Sequence, residues 1–374
     1  MSLAVKAGLI LSFTMKLIRI TILLSALCLS VAAGAQNFVY TDASELPLYG
    51  KISEETNSRY ERLPSRLEGV SRKEVWKRGL CSSGLYVRFR SDASAISVKW
   101  QSTFDREQNH MTDTGTRGLD LYAFVDGEWK AVAPVRPTKK GPNEWTVIRN
   151  MKPEEREYML YLSLYDGVET LEVGVNEGAY VRQPALASPS VEKPIVMYGT
   201  SILQGGCASR PGMAYTNIIS RRLDRMVYNL GFSGNARLDM EIAGLMASVE
   251  DPGAFVIDCV PNSSDKLIAE KGEEFFRVLR DAHPDVPVIF VEDPIFPRSA
   301  FDQKLEEEVV GRNIALTNLY KKLKKAGEKK IYYVSAKDML GHDGEATVDG
   351  SHFTDLGNMR YVENIMPVFK KALK

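Results

Sequence analysis

Residues 194–206 read Pro194-Ile195-Val196-Met197-Tyr198-Gly199-Thr200-Ser201-Ile202-Leu203-Gln204-Gly205-Gly206. The apolar run Ile195–Tyr198 stops at Gly199, and two hydroxyl residues follow. This is the pattern of a buried strand that ends in a tight turn. In an open parallel sheet, ligands bind outside the carboxyl ends of the strands, so the pattern puts the Ser201 hydroxyl where a nucleophile would stand. A serine after a strand also serves as a helix cap, and the rest of the chain has to decide between the two roles.

Four further apolar runs follow: Val227–Leu230, Phe255–Val260, Val288–Val291 and Ile331–Val334. Helical patterns separate them over Met213–Leu223, Leu267–Ala282 and Gln303–Lys325, and Asp355–Leu373 reads as a last helix. Continuous apolar strands alternating with amphipathic helices predict an α/β domain with a doubly wound parallel sheet over 195–374. Upstream the period changes to two. Leu85, Val87 and Phe89 alternate with Tyr86, Arg88 and Arg90, and Ile96–Trp100, Leu119–Val125, Tyr158–Leu162 and Leu171–Val175 repeat the alternation. Turn pairs such as Asp126-Gly127 and Asp166-Gly167 separate these runs, which predicts a β-sandwich over 37–182 with one wet face per sheet. Pro184, Pro189 and Pro194 punctuate 183–194, read as the linker.

Residues 1–35 read as a secretory signal. Lys16 and Arg19 precede the apolar run Ile20–Ala33, and Ala33-Gly34-Ala35 supplies small residues for cleavage after Ala35. The run is shorter than the roughly 20 residues a membrane span needs. Export is therefore expected, to a periplasmic or extracellular location and without a stable membrane anchor. Lys and Arg total 48 and Asp and Glu total 48, a formal net charge of zero. That balance argues against a nucleic-acid partner bound by phosphate neutralisation. Past the signal, Cys81, Cys207 and Cys259 have no zinc-site spacing and are expected as buried thiols.

Three more segments carry chemistry beside Ser201. Asn229-Leu230-Gly231-Phe232-Ser233-Gly234-Asn235 is either a simple strand-to-helix turn or a source of an oxyanion donor at the Gly234 backbone N–H. Asn262, just past the third apolar run, is either a cap or a side-chain oxyanion donor. In Asp349-Gly350-Ser351-His352, residues three apart face each other in a turn, so Asp349 can orient the His352 ring and leave its other nitrogen as a base. The alternative there is a surface loop. Together the segments supply a nucleophile (Ser201), a base (His352), an orienting carboxylate (Asp349) and three oxyanion donors, from Ser201, Gly234 and Asn262. The Gly-x-Ser-x-Gly elbow of the α/β-hydrolases is absent, since Leu203 stands at its second glycine.

On these residues the chain resembles the SGNH (GDSL-type) hydrolase superfamily, whose four blocks have counterparts here in order at Ser201, Gly234, Asn262 and Asp349–His352. The usual Gly-Asp-Ser is Gly199-Thr200-Ser201 here, and the usual Gly-x-Asn-Asp is Val260-Pro261-Asn262-Ser263. Gly118-Leu119-Asp120-Leu121-Tyr122 is similar to the Gly-x-Asp-Leu-Tyr signature of a β-rich domain that precedes some bacterial members. The resemblance implies a flavodoxin-like three-layer domain behind a jelly-roll-like sandwich. It also implies a serine esterase needing no metal or organic cofactor. Export together with an appended sandwich suggests an acetylated glycan as substrate. The rival readings are a carbohydrate-binding protein with a degenerate hydrolase domain, a lipid or aryl esterase, and a metal-dependent hydrolase using His342, Asp343, Asp349 and His352.

Overall fold

The computed structural model describes residues 37–374, so the expected signal segment lies outside the described residues. The N-terminal part contains nine strands: β1 (Phe38–Asp42), β2 (Leu48–Tyr49), β3 (Tyr86–Ser91), β4 (Ile96–Ser102), β5 (Leu119–Val125), β6 (Glu128–Val135), β7 (Pro142–Ile148), β8 (Arg156–Tyr161) and β9 (Val168–Asn176). They form two antiparallel sheets, ordered β1-β9-β4-β7 and β2-β3-β8-β5-β6. Short helices α1 (Lys73–Gly79) and α2 (Asp113–Thr116) sit in the connections. Leu85, Val87 and Phe89 meet Val98, Trp100, Leu121, Leu160 and Val173 between the sheets, the apolar half of each period-two run turned inward.

The expectation of one wet face per sheet fails for the second sheet. Tyr86, Tyr122, Met159 and Tyr161, on its outer face, are buried together. Arg88 is fully buried as well, donating to Glu157 at 3.0 Å and to the Leu186 carbonyl at 3.2 Å. The C-terminal half covers this face, with the Arg221 guanidinium 4.3 Å from the centre of the Tyr122 ring. Alternation in sequence reports two faces but does not say whether water or another element meets the polar one.

The C-terminal part is a parallel sheet of β10 (Val191–Gly199), β11 (Arg225–Gly231), β12 (Ala254–Asp258), β13 (Val288–Val291) and β14 (Ile331–Val334), in the order β11-β10-β12-β13-β14. Its longer helices are α4 (Tyr215–Leu223), α5 (Met240–Ala247), α6 (Asp265–Ala282), α7 (Gln303–Lys325) and α8 (Asp355–Ala372), with a four-residue turn α3 (Ser201–Gln204) between β10 and α4. Val196, Tyr198, Phe255 and Ile257 face a core shared with α5, α6 and α7. Ile195, Met197, Ala254 and Val256 face a core shared with α4 and α8. These two cores make the three layers. The third apolar run is shorter than its hydropathy suggests. β12 ends at Asp258, and Val260–Asn262 forms a 3₁₀ turn because Pro261 has no N–H to donate to a ladder. Strand order reverses at β10, so the crevice at the carboxyl ends of β10 and β12 is the switch point where such sheets bind ligands.

Candidate active site

Gly199 at the end of β10 pairs in register with Gly231 of β11 and with Asp258 of β12. Three loops therefore leave the sheet side by side, carrying Ser201, Gly234 and Asn262. A Cβ on Gly231 would lie 2.3 Å from the Gln204 backbone nitrogen, so this close approach of the β11 turn to α3 requires glycine. Thr200, where the family usually has Asp, caps α3 through its own hydroxyl, which accepts from the Ile202 N–H at 3.2 Å. Gly205, at φ 107°, closes the turn.

The Ser201 Oγ lies 2.8 Å from His352 Nε2, and His352 Nδ1 lies 2.7 Å from Asp349 Oδ2. The other oxygen of Asp349 accepts from the backbone N–H groups of Ser351 at 3.0 Å and His352 at 2.8 Å. Partial burial raises the Asp349 carboxyl, but the His352 N–H, the His352 ring and the Ser351 N–H outweigh it, and the net value falls to about 2. An ionised carboxylate on Nδ1 fixes the tautomer whose Nε2 lone pair points at the hydroxyl. Thr354 caps α8 by accepting from the Gly357 N–H at 3.1 Å, which sets where the helix begins, three residues after His352. A Cβ on Gly206 would fall 2.8 Å from His352 Cδ2, so the chain beside the ring is glycine for lack of room.

Gly234 sits at φ 71° in a turn closed by the Asn235 N–H bonding the Phe232 carbonyl at 2.8 Å. The Asn262 side-chain oxygen accepts from the Ala236 N–H at 3.4 Å, which orients its NH₂ group. The structure thus puts Ser201, Asp349 and His352 in one hydrogen-bonded row and places Gly234 and Asn262 on the two adjoining strand ends. Of the four residues of the metal-hydrolase rival, His342 and Asp343 are drawn away from Asp349 and His352. His342 Nε2 bonds Asp338 at 2.9 Å, and Asp343 is held by both Nη groups of Arg360 at 2.7 Å.

A family model for the GDSL-like lipase/acylhydrolase family matches residues 192–370, and a second, for the N-terminus of SGNH-hydrolase-type esterases, matches residues 38–181. A solved structure from Bacteroides ovatus ATCC 8483, described as a GDSL-like lipase, is 36% identical, with a TM-score of 0.86 over 90% of this chain and 98% of that one. The chain belongs to the GDSL-like lipase/acylhydrolase family. Membership makes it a carboxylic ester hydrolase of SGNH type. The same fold recurs in a salicylyl acyltransferase from a tetracycline biosynthetic pathway, 15% identical, with a TM-score of 0.69 over 89% of this chain and 97% of that one. It recurs again in an acetyl xylan esterase from the rumen bacterium Butyrivibrio proteoclasticus, 13% identical, with a TM-score of 0.53 over 90% and 98% of the two chains. No curated protein matches the chain.

In this member of the family the signature Gly118-Leu119-Asp120-Leu121-Tyr122 has a mechanical role. Asp120 is fully buried and accepts from Arg210 Nη1 at 2.6 Å and from the Gly212 N–H at 2.8 Å. The Tyr122 hydroxyl accepts from the same Arg210 nitrogen at 2.7 Å. A Cβ at Gly118 would meet the Val135 carbonyl at 2.5 Å. The signature therefore docks the sandwich onto the segment that follows α3. Arg117 turns away to Asp113 at 3.0 Å.

Four residues around the site carried no sequence signal. Tyr165, in the loop after β8, donates its hydroxyl to the Ser201 carbonyl at 3.1 Å. Buried Gln204 spans the two halves, donating to the Leu164 carbonyl at 3.2 Å and accepting from the Ser233 N–H at 3.0 Å. Buried Arg62 donates to the carbonyls of Asn229 at 2.8 Å and Gly231 at 3.0 Å, under the glycine turn. His110 has its ring 5.3 Å from that of His352. Tyr165, Arg62 and His110 arrive from distant parts of the chain, whereas Gln204 lies three residues after Ser201 and one of its partners, Leu164, is distant.

Proposed function

We propose that the protein is an exported serine esterase that removes acetyl groups from a carbohydrate, with Ser201 as nucleophile. The observation that carries the reading is the hydrogen-bonded row of Ser201 Oγ, His352 and Asp349, at 2.8 and 2.7 Å. His352 Nε2 takes the Ser201 proton as Oγ attacks the ester carbonyl, and Asp349 stabilises the imidazolium that forms. The backbone N–H groups of Ser201 and Gly234 and the Asn262 NH₂ hold the tetrahedral oxyanion. His352 returns the proton to the leaving alcohol, and water repeats the sequence to release the acid. No metal or organic cofactor enters this scheme.

The acetylated carbohydrate is supported by the shared fold with an acetyl xylan esterase and with family two carbohydrate esterases, and export by the charged, apolar and small-residue order of residues 16–35. Among the described residues no helix is long and apolar enough to cross a membrane. The test is an ester panel of acetylated sugars, aryl acetates and longer acyl chains, run on wild type and Ser201→Ala. Acetylated sugars are expected as the fastest substrates, and Ser201→Ala is expected to lose a factor of roughly 10⁴ or more in kcat. Full activity in that variant removes the nucleophile assignment. Equal rates on acetyl and long-chain esters remove the sugar-acetate assignment. Loss of fluorophosphonate labelling in Ser201→Ala separates this reading from a degenerate, binding-only site.

A further inference from the structure

The hydrolytic scheme leaves two reactive side chains unused beside His352. His110, in the loop between β4 and α2, has its ring centroid 5.3 Å from that of His352, and its Nδ1 is engaged by Asn109 Oδ1 at 2.9 Å, which leaves Nε2 free of that contact. Cys207 is a free thiol whose Sγ donates to the His110 carbonyl at 3.3 Å, and its backbone is held at φ 64°, a left-handed conformation that a residue with a side chain rarely adopts. One ligand atom from each of His110, Cys207, Asp349 and His352 lies within 4.8 Å of the others. Two imidazoles, a thiol and a carboxylate suit a borderline-soft divalent ion, whereas magnesium and calcium prefer all-oxygen shells. Tetrahedral zinc spaces its ligand atoms about 3.5 Å apart, so closure by about 1 Å completes the cage.

We propose that His110, Cys207, Asp349 and His352 form a binding site for a soft divalent cation of the zinc class, and that its occupation switches hydrolysis off. Binding converts the Cys207 thiol to a metal thiolate and releases its proton to solvent, and the imidazoles give lone pairs only. Either ring nitrogen of His352 that the metal takes is one the esterase needs. Capture of Nδ1 removes the bond to Asp349, and capture of Nε2 removes the bond to Ser201. The sandwich contributes His110, so this site exists only when the two halves are docked. The inhibitory consequence rests on the esterase reading above, while the binding does not.

The test therefore begins on the full-length Ser201→Ala protein, titrated with Cd²⁺ while the near-ultraviolet thiolate-to-metal absorption band is followed. The expected result is one equivalent bound with a thiolate band, loss of the band in the Cys207→Ser double variant, and at least tenfold weaker binding with His110→Ala on the exposed loop. Absence of the band, or affinities unchanged by both substitutions, overturns the site. In the chelator-treated wild type, Zn²⁺ is expected to inhibit ester hydrolysis reversibly. His110→Ala should raise the inhibition constant at least tenfold, normalised to its own metal-free rate. Zn²⁺ inhibition that is equal in both proteins overturns the switch. Hydrolysis without metal binding also counts against this proposal alone, and metal binding without hydrolysis counts against the esterase reading alone.

Discussion

Asn262 and Asp349 show how local bonds set what a side chain can offer. The Asn262 oxygen accepts from the Ala236 N–H, which leaves its NH₂ group as the donor end of the amide. An oriented amide donor is useful only where negative charge develops, so Asn262→Ala is expected to lower kcat by roughly 10² to 10³ with little change in KM. Steady-state kinetics on an acetyl ester reads both constants, and a change confined to KM would assign Asn262 to ground-state binding instead. Asp349 keeps its charge because two backbone N–H groups and the His352 ring favour the ionised form. Its folded value is depressed, so the stability it contributes is present above the unfolded value of about 4 and is lost as pH falls toward about 2. A carboxyl-carbon NMR titration should place its midpoint near the lower figure. A midpoint at the ordinary carboxylate value would mean that these bonds do not persist in solution.

At the scale of elements, β12 is the strand through which helices on one face of the sheet reach the site. Its last residue, Asp258, accepts hydroxyl hydrogen bonds from Tyr215 of α4 at 2.5 Å and Tyr361 of α8 at 2.7 Å. Burial pushes the Asp258 carboxyl up to about 7, against the lowering effect of the two hydroxyls. The folded state then holds a proton that the unfolded chain releases between pH about 4 and 7, so stability falls as pH rises through that window. The effect is of the order of a few kcal/mol at most. Asp258→Asn is expected to flatten this slope. Urea midpoints of the two proteins should therefore move in the variant's favour from pH about 4.5 to 7.5. Parallel pH dependence in both would place the titrating proton elsewhere. The same element shows the limit of hydropathy, since apolar residues continue past Asp258 to Val260 yet the strand stops at Asp258, where the chain turns toward Pro261.

For the whole molecule, the sandwich is part of the site's framework. Tyr165 and Leu164 hold α3, Arg62 holds the β11 turn, and Asp120 holds Arg210 and Gly212. Removing a buried carboxylate while leaving its cation in place is strongly destabilising, so Asp120→Ala is expected to cost about 3 kcal/mol, and Asp120→Asn less because it still accepts from Gly212. Denaturant unfolding gives the comparison. If both substitutions are neutral, the signature does not lock the two halves together.

The parallel sheet was legible because its strands are buried on both faces and so read as uninterrupted apolar runs, as Ile195–Tyr198 does. The candidate residues Ser201, Gly234, Asn262, Asp349 and His352 could be named from the sequence because each follows a strand or sits in a short loop, where spacing alone limits what a side chain can reach. The buried outer face of the second sheet was not legible. Tyr86, Arg88 and Tyr122 are amphipathic, and such residues suit water or a partner surface equally well. Nor were the placements of His110, Tyr165 and Arg62. Their partners lie from 36 to 242 residues away, His110 against His352, Tyr165 against Ser201 and Arg62 against Asn229 and Gly231. Local pattern determined the elements and the chemistry at their ends. Only docking of the two halves decided what surrounds Ser201, because long-range contacts leave no period in the chain.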